Sequence, residues 1–249
     1  MNRHSRYRMY MIPSVTNAAV GGSTVASYPA QAAHLTPANS EHFTVPLGAD
    51  NFGSASGWWR FIRFRMDVAT GTQRIFWLRP GTTGMAVYHT GGTSLVAEAY
   101  DDVAGLQTAT DASGLSIDTW YNLYVEYTGT RLRTSVDDAA FTASGSDFTY
   151  APPASGTGYV GATSSLSQLF DGRLQLFCGG DGVLTSAQIT ELNSGISFSS
   201  ASAGLVAAAT WWNDMGETSA GTGAVTRVDS IGSNDLTDVN TVPSVGRDS

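Results

Sequence analysis

The stretch WYNLYVEYTGTRLRTSVDD, residues 120–138, most constrains how this chain can fold. From Trp120 to Tyr127 the side chains alternate between two different sets, which is the period-2 pattern of a β-strand with two distinct faces. Gly129 interrupts the run, and the alternation resumes from Leu132 to Val136. Two alternating runs separated by a short glycine-containing break predict a β-hairpin.

A second local pattern predicts a single short helix after residue 184. Thr185 is placed as an N-cap residue, and Gln188 stands three positions later, as in a capping box. Ile189 and Leu192 fall on one face of this helix, and Gly195 is placed to end the segment.

Other short apolar runs recur about every ten residues, which is typical of a β-sandwich. In the run from Gly57 to Val68, Trp59 and Phe61 share one face while Ile62 and Phe64 share the other. Either burial switches side along this strand or both of its faces are partly covered. Further strands are predicted around Phe43 and Val45 and at residues 73–78, 84–90 and 94–100.

The order of these motifs resembles the closing half of the laminin-G-like (LamG) family of concanavalin A-like jelly rolls. Residues 120–129 fit its W-x-x-L-x-V-x-Y-x-G strand, and the F-D-G strand at 170–172 precedes an L-T-x-x-Q-I helix at 184–189. The resemblance covers residues 38–195. It implies an all-β, concanavalin A-like jelly-roll β-sandwich with one short helix.

The C-terminal part of the chain is similar to the opening segment of the same family. An apolar strand is predicted from Leu205 to Trp212, and VDSIGSNDLTD follows at 228–238. Since the family's usual continuation stands near the N-terminus here, the domain is interpreted as circularly permuted. We predict an extended arm at 1–30, the jelly roll at 31–200, and a segment at 201–249 that completes the sandwich. That segment belongs to its own or a neighbouring subunit, and closure of its own domain is favoured.

The composition limits the classes of partner and compartment. A net charge of −8 and a pI near 4.8 argue against nucleic acid as the main partner. Cys178 is the only cysteine, so no intramolecular disulfide can form, and we expect it on the inner face of its strand. The N-terminus has no apolar run of signal-peptide length, and no segment is long enough for membrane insertion.

Motifs that would carry catalysis are missing from the sequence. It has no H-E-x-x-H and no G-x-S-x-G motif, and its five Glu residues do not form the E-x-D-x-x-E strand of glycosidases with this fold. GTGYVG at 156–161 matches a dinucleotide fingerprint in letters, but we predict a turn there because no helix follows. The sequence therefore predicts no enzyme, no catalytic residue and no required cofactor.

Two kinds of binding site remain as candidates. The resemblance implies an occasional structural calcium ion, for which Asp101 and Asp102 are the candidate ligands; solvated turn aspartates are the alternative. Glycan binding would need exposed aromatic rings beside polar groups, and core packing is the alternative for each ring. The candidates are Trp77, Tyr88, Trp211 and Trp212.

The N-terminal residues carry a basic and aromatic cluster. It is predicted to be an assembly arm that lies on a neighbouring subunit, with a flexible tail as the alternative. The arm residues are Arg3, Arg6, Tyr7, Arg8 and Tyr10.

These features together lead to two functional hypotheses. The first is a non-enzymatic virion structural or accessory protein, a phage capsid decoration or fibre component made in the host cytoplasm. It would contact copies of itself or other virion proteins, and glycans as an additional partner. The alternative is a lectin-like carbohydrate-binding module of a cell-surface or extracellular protein.

Overall fold

Antiparallel β-strands make up most of the regular secondary structure in a computed structural model of the chain. The structure describes residues 28–29, 31–48, 53–91, 94–101, 103, 105–112, 114–215, 226–240 and 242–246. The strands in chain order are β1 (Gln31–Leu35), β2 (His42–Gly48), β3 (Trp58–Met66), β4 (Thr72–Leu78), β5 (Met85–Thr90), β6 (Ser94–Asp101), β7 (Gly105–Asp111), β8 (Trp120–Tyr127), β9 (Leu132–Val136), β10 (Thr142–Ala143), β11 (Ser155–Val160), β12 (Gly172–Asp181), β13 (Trp211–Asn213), β14 (Thr226–Arg227), β15 (Leu236–Val239) and β16 (Ser244–Gly246). The helices are α1 (Ser186–Asn193) and α2 (Ala203–Ala208).

The strands form two sheets, named here sheet 1 and sheet 2. In sheet 1 the order is β10-β9-β8-β3-β12-β1-β16, and β13 also pairs with β12. In sheet 2 the order is β14-β15-β2-β11-β4-β5-β6-β7. Every strand pair in both sheets of the described chain is antiparallel. The predicted all-β jelly roll is therefore confirmed.

The main core lies between the two sheets. Ile62, Phe64 and Leu123 of sheet 1 pack in one buried cluster with Phe76 and Val87 of sheet 2. Each is no more than 1% exposed, so each contributes about 1.5–3 kcal/mol through burial of its apolar side chain. This core explains why alternating apolar residues recur in nearly every strand.

The predicted hairpin is present as β8 and β9. Tyr127 pairs with Leu132 and Leu123 with Val136, so the register runs along the whole hairpin. The Tyr127 hydroxyl lies within hydrogen-bonding distance of two carbonyl oxygens, 2.8 Å from that of Gly129 and 2.6 Å from that of Phe148. These bonds anchor the turn to the loop that follows β10.

The predicted capping box is also present at the start of α1. The Thr185 side chain accepts from the Gln188 backbone N–H at 3.4 Å, and the Thr185 N–H donates to Gln188 Oε1 at 2.9 Å. Ile189 and Leu192 are the buried residues of the helix, as their spacing predicts.

A second short helix was not expected. The prediction of a strand from Leu205 to Trp212 is wrong in its first half, because α2 ends at Ala208 and β13 begins only at Trp211. Ser202 caps α2 by accepting from the Leu205 N–H at 3.2 Å. The alanine-rich sequence that follows favours a helix once it is capped.

Both faces of sheet 1 are covered, which settles the ambiguity in β3. Its second face lies under α1 and α2, where Trp59 and Phe61 pack with Leu192 and Leu205. Cys178 belongs to this second cluster, so its expected position on the inner face of the sandwich is wrong. Its thiol is fully buried, and burial raises its pKa well above the usual value.

Strands from the C-terminal segment pair within the same chain with strands from the N-terminal part. β16 pairs with β1, and β15 pairs with β2. This is the pairing that a circularly permuted jelly roll requires, while the permutation and the three-part division of the chain stay predictions. In the part of the chain that the structure describes, neither helix has the length and apolar character needed to span a membrane.

Candidate functional site

The outer face of sheet 2 carries half-buried aromatic rings beside charged side chains. The side chains of β5 alternate between the two faces of sheet 2. Met85 and Val87 belong to the core, while Tyr88 lies on the outer face and is partly exposed. On β6, Ala97 and Ala99 belong to the core. By the same alternation Glu98 lies on the outer face.

A β-bulge in β4 brings two important residues to this same face. Arg74 pairs with Tyr88, Phe76 pairs with Val87, and the register shifts between them. Residues 74 and 77 would point to opposite faces of a regular strand. The extra residue at the bulge instead places Arg74 and Trp77 together on the outer face.

Five side chains on this face form an alternating array, which we call the aromatic–arginine ladder. The Arg74 guanidinium carbon lies 3.9 Å from the Tyr88 ring centroid and 4.7 Å from that of Trp77. The Arg79 guanidinium carbon lies 4.5 Å from the Trp77 centroid and 4.3 Å from that of Tyr100. The order along the ladder is therefore Tyr88, Arg74, Trp77, Arg79, Tyr100. Each contact is within the range of a cation–π interaction.

Glu98 connects the two arginines of the ladder. Its Oε2 accepts from Arg79 Nη1 at 2.8 Å and from Arg74 Nη1 at 3.3 Å. The Glu98 side chain is only 7% exposed, and those of Arg74 and Arg79 are 11% and 14% exposed. Arg79 Nη2 also donates to the Tyr100 hydroxyl at 2.7 Å. The ladder is thus held in one geometry before any ligand arrives.

The electrostatics of the ladder follow from this burial. Loss of water lowers the pKa of Arg74, and the neighbouring Glu98 carboxylate partly restores it. Burial also raises the pKa of Tyr88, with a further rise from Glu98. Both arginines share one carboxylate, so the buried charges of the ladder sum to one positive charge.

A pocket of about 400 Å³ adjoins the ladder at Tyr100. It lies between the turn from β4 to β5 and the turn from β6 to β7. Its lining residues are Thr82, Thr83, Tyr100, Asp101, Val103, Gly105 and Ala151. The Asp101 Oδ1 accepts from the Val103 N–H at 2.8 Å, and Val103 itself is 89% exposed. Tyr100 therefore belongs to both the ladder and the pocket.

The structure brings together some of the residues that the sequence nominated and separates others. Trp77 and Tyr88 are part of the ladder, and Asp101 lines the adjoining pocket. Asp102 lies outside the described residues, as do the arm residues. Those arm residues are Arg3, Arg6, Tyr7, Arg8 and Tyr10.

Trp211 and Trp212 are not available as a sugar platform, which corrects their nomination. They are 1% and 0% exposed. Trp211 packs edge-on against Phe177 in the main core, with ring centroids 4.4 Å apart. Trp212 lies in the second cluster, where its Nε1 donates to Asp214 Oδ1 at 2.7 Å. Neither ring presents a face to solvent.

The calcium prediction gains no support from the side chains around Asp101. Among the described residues, no three His, Cys, Asp or Glu side chains come close enough to hold a metal ion. A calcium ion usually takes six to eight oxygen ligands, several of them carboxylates. Calcium binding at Asp101 and Asp102 therefore stays a prediction.

Sequence reasoning missed Arg74, Arg79, Glu98 and Tyr100. The one available signal was the placement of Glu98 and Tyr100 two residues apart on an alternating strand, which puts them on one face. The position of Arg74 depends on the bulge between Arg74 and Phe76, and no glycine or turn residue stands there to indicate it.

Comparisons with known proteins support the fold. No family model and no curated protein sequence matches the chain. A structure from Bacteroides ovatus, described as that of a candidate carbohydrate-binding protein, is 14% identical with a TM-score of 0.61. It matches over 89% of this chain and 61% of its own. This chain therefore spans less than two thirds of that protein.

Two further structures are more distant. A heptameric SAP-like pentraxin from Limulus polyphemus is 13% identical, with a TM-score of 0.49 over 69% of this chain and 89% of its own. Domains LG4-5 of the mouse laminin alpha1 chain are 14% identical, with a TM-score of 0.41 over 55% of this chain and 40% of their own. From its sheets and from its similarity to the Bacteroides structure, the chain has the concanavalin A-like jelly-roll fold.

Proposed function

We propose that this chain is a non-enzymatic carbohydrate-binding module of an extracellular or cell-surface protein. Its ligand site would be the aromatic–arginine ladder together with the pocket at Tyr100. The observation that carries the proposal is the ladder itself, a rigid set of aromatic and planar polar side chains on the outer face of sheet 2.

The chemistry of the ladder suits a sugar. A sugar ring has apolar C–H faces, which pack on aromatic side chains, and hydroxyls, which bond to planar charged groups. Trp77, Tyr88 and Tyr100 are half-buried, so each residue keeps some surface in contact with solvent. Glu98 and the stacked arginines fix the positions of these rings, which reduces the entropy lost when a ligand binds.

The Bacteroides structure supports the same reading. Its description names carbohydrate binding, and its fold superposes on most of this chain. Fold similarity at 14% identity does not transfer a ligand. The proposal therefore depends on the ladder, with the comparison as support.

A glycan array probed with the full-length protein tests the proposal. We expect binding to one group of related glycans, and we expect Trp77→Ala to reduce that binding at least about tenfold, the loss of about 1.4 kcal/mol of contact. Phe141→Ala is the matched control, because Phe141 is a 37% exposed ring that stacks with Arg133 on sheet 1. Equal losses in the two variants, or no glycan bound, would refute the proposal.

The virion structural role is the first hypothesis from the sequence, and it is the second candidate here because the similar structures favour the carbohydrate-binding module. One of the features that led to it, the N-terminal arm, lies outside the described residues. Light scattering of the full-length chain over a concentration series tests it directly. A closed oligomer that is lost on deletion of residues 1–27 would favour an assembly protein, whereas a monomer at every concentration favours the binding module.

A further inference from the structure

The Arg74 guanidinium is held by its neighbours at every nitrogen but one. Tyr88 and Trp77 stack with it, with ring centroids 3.9 and 4.7 Å from the guanidinium carbon. Nη1 donates to Glu98 Oε2 at 3.3 Å, and Nε donates to Gln168 Oε1 at 2.9 Å. The third nitrogen, Nη2, donates to no residue in the described part of the chain and is not one of its enclosed polar atoms. Nη2 is therefore a donor that a ligand can reach.

The loop before β12 fixes the direction of this donor. Besides the side-chain bond, the Arg74 backbone N–H donates to the Gln168 carbonyl oxygen at 2.8 Å. The loop itself is braced by Thr163, whose Oγ1 donates to the Ser167 carbonyl oxygen at 2.7 Å and accepts from the Ser167 N–H at 3.1 Å. Because Gln168 holds both the backbone and the side chain of Arg74, Nη2 is oriented before a ligand binds, which reduces the entropy lost on binding.

The positive charge of Arg74 is only partly compensated. Glu98 is shared between Arg74 and Arg79, so two guanidinium groups have one carboxylate between them. Burial lowers the pKa of Arg74, the Glu98 carboxylate opposes this change, and the like charge of Arg79 adds to it. A largely buried charge is unfavourable unless it is paired. An anion at Nη2 would supply the missing partner.

The donor and the excess charge together favour an anionic group over a hydroxyl. A sugar hydroxyl could accept from Nη2 but would leave the charge uncompensated. A carboxylate or a sulfate accepts the same bond and carries the opposite charge, and such charge-assisted bonds are about twice as strong as neutral ones. Arg74 stands near the Tyr88 end of the ladder, whereas Asp101 lies beyond the other end, at Tyr100.

We propose that Arg74 determines the specificity of the ladder, with Nη2 donating to a carboxylate or sulfate on the bound glycan while the sugar ring packs on Trp77 and Tyr88. Gln168 is the positioning residue for this contact. The proposal rests on the carbohydrate-binding function proposed above and names the class of glycan for that site.

Matched acidic and neutral oligosaccharides test the preference. Oligogalacturonates and their methyl esters examine the carboxylate, while kappa-carrageenan oligosaccharides and their desulfated forms examine the sulfate. Affinities are measured with the full-length protein by isothermal titration calorimetry at pH 7. We expect at least one acidic probe to bind at least about tenfold more tightly than its neutral partner, as one charge-assisted bond provides. The pair that shows this preference identifies the anion.

Two variants separate charge from position. Arg74→Gln should weaken binding of the acidic probe at least about tenfold and that of its neutral partner less than about threefold. Gln168→Glu keeps an acceptor for Arg74 Nε but adds a second carboxylate, so the acidic probe should again be weakened while the neutral one is retained. Gln168 is exposed, so this variant maintains the test if Arg74→Gln does not fold.

Gln188→Glu is the matched control. It adds the same charge in the capping box of α1, where Glu serves as well as Gln. Both affinities should stay unchanged, because α1 covers sheet 1 and the ladder lies on sheet 2.

Each contrary result has its own meaning. Equal affinities within both pairs, a glycan array on which all bound members are neutral, or an acid preference that survives in Gln168→Glu would overturn the role of Arg74. If Trp77→Ala still weakened the binding of a neutral glycan in that case, the carbohydrate-binding function would stand. If no probe and no array glycan bound, both proposals would fall.

Discussion

Arg79 and Glu98 are joined by a bond of 2.8 Å between Nη1 and Oε2 on the outer face of sheet 2. The same Glu98 oxygen also accepts from Arg74 at 3.3 Å. One carboxylate therefore bonds to both guanidinium groups, which lie between the three rings of the ladder. Gln168 also holds Arg74, since its Oε1 accepts from Arg74 Nε at 2.9 Å. Glu98 controls the shape of the proposed site without being exposed to a ligand.

Replacing Glu98 by Gln should weaken both the ladder and the fold. The arginines would lose their shared anion while remaining largely buried, so we expect a loss of about 1–3 kcal/mol in the free energy of unfolding. Glycan binding should fall as well, because the rings would no longer be held in one arrangement. Urea denaturation and the glycan array measure the two effects.

Asp147→Asn serves as the control for this change. It also removes a carboxylate from an arginine, but Asp147 and Arg131 are 66% and 45% exposed. Exposed pairs contribute at most about 1 kcal/mol. If Glu98→Gln lowers the free energy of unfolding no more than Asp147→Asn does, the ladder does not depend on the charge of Glu98.

The fold could be predicted well where local signals were sufficient. The hairpin of β8 and β9 and the capping box at Thr185 each depend on residues close in sequence, and both are present. The helix α2 was missed because its residues also fit an apolar strand. Only the cap at Ser202 and the covered face of sheet 1 distinguish the two.

The candidate site could be predicted only in part, because its geometry depends on distant packing. Trp77 and Trp211 are equally aromatic in the sequence, yet sheet 2 leaves the first half-buried while the main core encloses the second. Arg74 reaches the outer face through a bulge. Neither fact follows from the spacing of nearby residues.

The glycine-rich run predicted as a turn is in fact strand β11, and this difference leads to a second prediction. Gly158 pairs with Val45, and a Cβ at this position would lie 2.8 Å from Leu78 Cδ2 and 2.9 Å from Leu47 Cδ2. We expect Gly158→Ala to destabilise the protein by about 1–3 kcal/mol, because the extra methyl group overpacks the core.

Gly145→Ala is the matched control for this change. A Cβ at Gly145 would meet no atom within 4 Å, so its effect should stay within about 0.5 kcal/mol. Thermal unfolding of both variants compares the two sites. Similar melting temperatures would mean that the small size of Gly158 is not required for packing between the strands.

The burial of His89 leads us to predict that the protein loses stability in mild acid. Its side chain is 0% exposed, and burial lowers its pKa from 6.5 to about 4. Between these values the unfolded chain binds more protons than the folded chain at this site. The free energy of unfolding should therefore decrease as the pH falls from 6.5 towards 4, by up to about 3 kcal/mol.

The variant His89→Gln isolates this contribution. It is expected to be less stable than the wild type at pH 7 because it changes a packed core position. Its stability should decrease less steeply between pH 6.5 and pH 4, since one titrating group has been removed. Urea denaturation at several pH values measures the slope, and identical slopes for the two proteins would contradict the assignment.

A buried ion pair joins β14 and β15 near the C-terminus, and it gives the last prediction. Arg227 Nε donates to Asp238 Oδ1 at 3.0 Å, and the two side chains are 1% and 0% exposed. Arg227 also donates to the carbonyl oxygens of Met215 and Val242, at 2.6 and 3.0 Å. One guanidinium thus joins β14, β15 and the residues before β16.

Removing either charge alone should destabilise the fold by about 3–5 kcal/mol, because it leaves the other charge buried without its partner. Burial raises the pKa of Asp238, and the hydrogen bond and charge of Arg227 oppose that rise. The double variant Arg227→Met/Asp238→Asn should therefore lose less than the sum of Arg227→Met and Asp238→Asn. A double-mutant cycle from urea denaturation measures this coupling. If the losses in the free energy of unfolding are additive, the two side chains stabilise β14 and β15 independently through their other hydrogen bonds. The ion pair would then not contribute to their stability.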